Sequence, residues 1–202
     1  MVRGSKFDQA EFVDAALLLL SEGGPTAVTM AAIGRRSGAP TGSIYHRFPS
    51  RSAVVAAAWL RALTAFADEI ETALGSASPD AAAMTLVDWS RAHPREARVL
   101  FLNEPSSLFD TAPPEDLSAA IRGQEARIEL AFEGRLDGAC ASGTPGEAFS
   151  RLRFAIIDGP IALIRPYLQS GEAIPAFVDR IAETLGGLVA TGQRQTQPQA
   201  AE

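Results

Sequence analysis

The chain has 202 residues, 18 basic and 24 acidic, for a net charge of −6, and that length can bury a sizeable core in one or two domains. The acidic balance excludes a basic coat over the whole surface, and the single cysteine, Cys140, excludes an intramolecular disulfide and fits a reducing compartment. No apolar run approaches the roughly 20 residues of a membrane span, and Asp8, Glu11 and Asp14 break any signal-peptide pattern ahead of the four leucines 17–20. A cytoplasmic protein is expected.

Charge is unevenly placed. Up to Arg51 there are six basic residues (Arg3, Lys6, Arg35, Arg36, Arg47, Arg51) and four acidic ones (Asp8, Glu11, Asp14, Glu22), a net +2 that leaves −8 for the remainder. A basic head on an acidic body suits a head that meets phosphates and a body that does not.

Phe12, Ala16, Leu19 and Leu20 recur at helical spacing, and Gly23-Gly24 ends that first helix. Thr29 can cap a second helix holding Ala31, Ala32 and Ile33. Gly38 stands where that helix must stop, because glycine takes the left-handed conformation cheaply. Pro40 fits the start of a third helix over residues 41–48. This third helix is too short and too polar to exist for core burial alone: it carries Thr41, Ser43, Tyr45, His46 and Arg47, with Ile44 and Phe48 on its inward face. Short helix, glycine turn, polar second helix is the helix-turn-helix pattern, whose second helix enters the DNA major groove.

A long helix is expected over about 50–74, with Val55, Trp59, Leu63, Phe66 and Ile70 on one broad face. Ser78-Pro79-Asp80 opens the next, with serine as cap, proline in the first turn and aspartate against the positive helix end. His93-Pro94 breaks it, and Pro94 opens a short helix to about residue 103. Residues 104–114, with three prolines, read as a loop. Leu117, Ile121, Ile128 and Phe132 mark a helix over 115–136, and residues 138–146 a further loop. The last two helices span 147–169 and 175–191, and the polar tail 193–202 reads as disordered. Pro160 and Pro166 each remove a helix hydrogen bond, Pro160 also crowding the Ile156 carbonyl, so the penultimate helix is expected kinked or split. Alternation of apolar and polar residues is never sustained. The fold class is all-α with about nine helices: a helix-turn-helix domain over 1–50, a helical body over 51–192, and the tail.

The head resembles the TetR family of bacterial transcriptional repressors, most strongly over residues 7–60. The resemblance rests on Thr29-Met30-Ala31-Ala32-Ile33-Gly34, on Ser37-Gly38, and on Gly42-Ser43-Ile44-Tyr45-His46-Arg47-Phe48-Pro49-Ser50-Arg51. It implies that Thr29 meets a phosphate, that residues 41–46 lie in the major groove with Tyr45 and His46 contacting backbone or bases, and that Gly42 permits close approach. Ser43 falls in the same groove-facing set, and Arg51 matches the lysine that grips a phosphate at the start of helix four. Two departures stand out: Pro40 replaces a frequent serine, with Thr41 as substitute, and Arg51 exchanges a point charge for a fork. Arg35 and Arg36 read either as phosphate contacts or as a solvated face, and Arg3 and Lys6 either as a minor-groove arm or as a mobile terminus.

The resemblance further implies a ligand cavity in the body and dimerisation through the last two helices. Candidates for the cavity are Phe66, Trp89, Phe101, Phe132, Phe154 and Asp158; ordinary helix packing also explains most of the aromatics. Asp158 sits in an apolar stretch and needs a partner, either a ligand or an arginine such as Arg98 or Arg153. Ile161, Leu168, Phe177, Ile181, Leu185, Leu188 and Val189, apolar at helical spacing, are the candidate dimer seam. The function so implied is repression at a palindromic operator, released by a small, largely apolar effector; the rival is a binding or docking module that keeps the fold and no longer binds DNA. Catalysis finds no support: His46 and His93 lie on different segments, and there is no phosphate loop or nucleophile elbow. No cofactor or metal is expected.

Overall fold

The computed structural model describes residues 8–76, 78–137 and 144–194. Among them all regular structure is helical: α1 (Gln9–Ala27), α2 (Met30–Ser37), α3 (Thr41–Tyr45), α4 (Arg51–Ser76), α5 (Pro79–Ala92), α6 (Pro94–Leu102), α7 (Pro105–Leu108), α8 (Glu115–Asp137), α9 (Pro145–Arg153), a π turn (Phe154–Asp158), α10 (Gly159–Ser170) and α11 (Phe177–Arg194). The chain forms two compact units, Met1–Thr64 with Arg95–Gln124, and Ala65–Pro94 with Glu125–Glu202. Arg3, Lys6, Cys140, most of the expected 138–146 loop and the tail beyond residue 194 lie outside the described residues.

The described residues add two helices to the expected set of about nine, for two local reasons. The proline-rich 104–114 segment contains α7, which Pro105 opens and whose Leu108 is fully buried. The penultimate helix comprises α9 and α10 joined by the π turn. There the Gly159 N–H donates to the carbonyl of Phe154, five residues back, so the turn is one residue wider just where Pro160 can neither donate nor tolerate a carbonyl four residues back. The helical run stays unbroken from Pro145 to Ser170, with the wide turn just ahead of Pro160 and Pro166 inside α10. That form, a widened turn rather than a sharp kink or a split, depends on packing.

The first unit is built around fully buried Phe12, Val28, Ile33, Ile44 and Leu108. Regular helix in α1 ends at Gly24, whose φ of 68° and ψ of −166° lie outside the helical region. Thr29 caps α2 by accepting from the Ala32 N–H at 3.0 Å, and Gly38 ends α2 at φ 68°. Ser50 caps α4, its Oγ accepting from the Ala53 N–H at 3.1 Å.

In the second unit α11 meets the start of α5 backbone to backbone at Gly186. A Cβ on Gly186 would stand 2.6 Å from the Asp80 nitrogen and closer still to Pro79 O and Asp80 Cα. Ser78 occupies the cap position of α5 without bonding a helix amide. Its hydroxyl bonds the Asp80 carboxylate instead, and that bond is the largest reason the Asp80 pKa falls below its ordinary value. Phe66 and Trp89 stack edge to face with ring centroids 5.2 Å apart.

Candidate nucleic-acid interface

The helix-turn-helix lies wholly within the first unit. α3 is one and a half turns long. Its inward residue Ile44 is fully buried and Phe48, just beyond, is 3% exposed, so burial fixes which face α3 turns outward. That outward face carries Thr41, Gly42, Tyr45, His46 and Arg47, all exposed, with Ser43 half-buried beside them. Tyr45 is 53% exposed, one of the few large hydrophobic side chains turned outward among the described residues. Donors and acceptors thus project from one short helix whose rear is anchored in the core, the geometry that base-edge and phosphate contacts need.

The close approach of α2 and α3 depends on Gly34, whose place in the family pattern has a packing reason. A Cβ on Gly34 would lie 2.9 Å from the Ala39 carbonyl oxygen, 3.5 Å from Ile44 Cδ1 and 3.6 Å from Thr41 Oγ1. The same Gly34 carbonyl accepts the Ala39 N–H at 3.0 Å, and the Gly38 N–H as well. The turn therefore folds directly over Gly34, and α3 can approach α2 this closely only because that position has no side chain. The signal was available in the sequence, since a glycine inside a helix opposes its propensity and needs a packing reason. Gly42, in contrast, has nothing within 4 Å of a hypothetical Cβ, so the protein's own packing does not explain its smallness.

Thr29 is exposed at the start of α2; its Oγ1 accepts from Ala32, which leaves the hydroxyl proton to donate outward. Arg35 and Arg47 are exposed and have no carboxylate within ion-pair distance among the described residues, whereas Arg36 reaches Glu22 at 3.9 Å. Arg51 is held by four acceptors of its own chain. Its Nε donates to Val28 O at 2.6 Å, its Nη1 to Leu108 O at 3.1 Å and to Asp110 Oδ2 at 2.9 Å, and its Nη2 to Pro25 O.

The cavity candidates divide by burial. Phe66, Trp89, Phe101 and Phe132 are each buried. Phe154 is exposed, and Asp158 is a surface residue with Arg153 Nε 3.7 Å from its Oδ2; of the two arginines suggested as its partner, Arg153 is the one found. A hollow of about 600 Å³ in the first unit has none of these residues in its wall, which alternates Glu11, Asp14 and Glu96 with Arg36, Arg61 and Arg95. Among the described residues, the buried donors Trp59 Nε1 on α4 and Arg98 Nε on α6 stand without acceptors. Among the seam candidates Phe177, Ile181 and Leu188 are exposed, Ile161, Leu185 and Val189 half-buried, and Leu168 belongs to the protomer's own core. Among the described residues no group of three His, Cys, Asp or Glu is placed to hold a metal ion, and no helix is long and apolar enough to cross a membrane.

Residues 12–58 match the sequence profile of the bacterial regulatory proteins, tetR family. No curated protein matches the sequence. Three solved structures share the fold along almost the whole chain. A transcriptional regulator from Rhodococcus sp. Rha1 is 19% identical, with TM-score 0.67 over 95% of this chain and 100% of its own. FadR from Bacillus subtilis, solved in complex with stearoyl-CoA, is 14% identical, with TM-score 0.67 over 92% and 99%. A tetR-family transcription regulator from Shewanella sp. PV-4 is 20% identical, with TM-score 0.62 over 93% and 96%. The outward-facing α3, its glycine-tight turn and the profile match over those same residues establish that the chain carries the helix-turn-helix DNA-binding domain of the tetR family of bacterial regulatory proteins.

Proposed function

We propose that the protein is a ligand-responsive transcriptional repressor that binds a palindromic operator as a homodimer. The observation that carries this reading is the exposed Thr41, Gly42, Tyr45, His46 and Arg47 surface, held outward by buried Ile44 and Phe48. Tyr45 and His46 contact backbone or base edges, and Thr29 donates to a phosphate. Arg35 and Arg47 add cations to the same acidic-bodied protein where nothing internal uses them.

Dimerisation is supported by α11, where Phe177, Ile181, Leu185 and Leu188 fall at helical spacing, Phe177 at 47% and Leu188 at 67% exposure. A stripe of this kind is what a second copy covers. Two-fold pairing presents two α3 helices to half-sites about one DNA turn apart, roughly 34–36 Å. The effector is amphipathic: the body is largely apolar, and the unpaired donors of Trp59 and Arg98 favour an acceptor or anionic group on the ligand. That the Bacillus subtilis FadR was solved with stearoyl-CoA supports the same class of ligand. Effector and DNA weaken each other by a common factor, as linkage requires.

The test is selection of genomic DNA fragments by the purified protein, followed by gel shifts with Tyr45→Ala and His46→Ala. The repressor reading expects a palindromic site, lost specificity in both variants, and log affinity falling with log salt by about 0.9 per phosphate neutralised. Absence of any selected site would instead favour a module that has kept the fold and no longer reads DNA.

A further inference from the structure

Arg51 opens α4, and its fork bridges two stretches of chain far apart in sequence. Two acceptors, Pro25 O and Val28 O, bracket the turn that leads from Gly24 into Thr29 and α2. The other two, Leu108 O and the Asp110 carboxylate, lie at the end of α7 and just beyond it. Four of the five guanidinium N–H donors are used, and the side chain is only 19% exposed. The next residue repeats the link: Ser52 Oγ is reached by the Thr111 N–H at 3.2 Å and by Thr111 Oγ1 at 3.3 Å. Val28 and Leu108, at the two ends of the bridge, are fully buried.

The residue type matters. Three of the four acceptors are backbone carbonyls, fixed in direction by the fold. A planar fork reaches four such points at once, whereas an ammonium has three donors around one atom and cannot. The Asp110 carboxylate supplies the only full negative charge in the set, and it is 68% exposed, open to whatever displaces the 105–111 segment.

We propose that Arg51 is a positioning residue that couples the 105–111 segment to the DNA-reading helices. Asp110 and Leu108 hold the guanidinium seated on Pro25 and Val28, and the seated guanidinium fixes the turn from which Thr29 and α2 depart. Displacement of the segment unseats the fork and reorients the helix pair without any contact to DNA. This inference rests on the DNA-binding reading, and it assigns Arg51 a role other than gripping phosphate.

Arg51→Lys, Arg51→Ala and Asp110→Ala are compared with wild type in two measurements. The first is affinity for the selected operator across a salt series. Coupling predicts that Arg51→Lys weakens binding about as much as Arg51→Ala, tenfold or more, with the salt slope unchanged. It also predicts that Asp110→Ala weakens binding although it removes a negative charge. A phosphate grip predicts that Arg51→Lys retains affinity, that Arg51→Ala lowers the slope by about 0.9, and that Asp110→Ala leaves binding equal or tighter. The second measurement is amide hydrogen exchange of the intact protein without DNA, where coupling predicts faster exchange over residues 25–38 in Arg51→Lys and Asp110→Ala. If wild type selects no DNA, the function reading fails and exchange alone decides the coupling. Unchanged exchange, or a lysine variant that binds like wild type, overturns it.

Discussion

Replacing Gly34 by alanine tests whether one missing side chain sets the geometry of the DNA-reading pair. The new Cβ would lie 2.9 Å from the Ala39 carbonyl oxygen, where ordinary carbon–oxygen contacts begin near 3.4 Å, so the α2–α3 turn must open by about half an ångström. Overpacking of this kind costs about 1–3 kcal/mol, and alanine's helix propensity returns up to about 1 kcal/mol. The net expectation is a destabilisation of about 0–3 kcal/mol. The larger effect falls on function: α3 is carried by the turn that opens, and half an ångström at its base displaces Tyr45 and His46 from partners that tolerate little misplacement. Operator affinity should fall at least tenfold while the folded fraction at 25 °C stays near complete. Chemical denaturation gives the stability and a gel shift the affinity. A variant at least as stable as wild type that binds the operator equally well would refute the argument that Gly34 fixes the helix angle.

The neighbouring Gly42→Ala should separate fold from function, because nothing lies within 4 Å of its Cβ. Stability is expected unchanged or slightly raised, and operator affinity reduced if DNA comes as close as the family pattern implies; circular dichroism melts and gel shifts read the two. Leu188→Asp, at an exposed position, should leave the protomer's secondary structure intact and shift the dimer toward monomer by a hundredfold or more in sedimentation equilibrium. Arg98→Met removes a buried donor that lacks an acceptor and should leave the melting temperature within a few degrees, as read by circular dichroism, because no hydrogen bond is lost with it. The Asp80 carboxyl titrates below its ordinary value of 3.8, chiefly through the Ser78 hydroxyl. A depressed folded pKa stabilises above the unfolded value and is lost as pH falls through the folded one. The melting temperature should therefore lose a small increment on acidification below about pH 4, and Ser78→Ala should shrink that increment.

Much of the helix-turn-helix could be read from the chain because its determinants are local. Thr29 caps, Gly38 turns left-handed, and Ile44 and Phe48 point inward, each for reasons contained within a few residues. The reason for Gly34 escaped because it is a tertiary approach by Ala39, even though the glycine itself was visible. Arg51 could not be read at all from local pattern: its acceptors lie 23 to 59 residues away, and three are carbonyls, which every residue possesses. The body was legible as helices and much less as a site. Burial sorts Phe132 inward and Phe154 outward, yet both are simply aromatics on amphipathic helices, and the widened turn at residues 154–158 rotates everything that precedes it. Leu168 shows the same limit, since spacing alone does not say whether a helix face meets its own protomer or another.

The bare contact at Gly186 bears on how two copies of this chain can sit together. Side chains between helices act as cushions, because they change rotamer and absorb small shifts. Here the backbone of α11 rests on the backbone of Pro79 and Asp80, and backbones have no rotamers to change. α11 is therefore seated on α5 like a beam on a bearing, and a tilt of the first turn of α5 arrives at the Phe177–Leu188 stripe undiminished. Any larger residue at position 186 would have to lift the beam off its bearing, because backbone atoms stand where its Cβ would go.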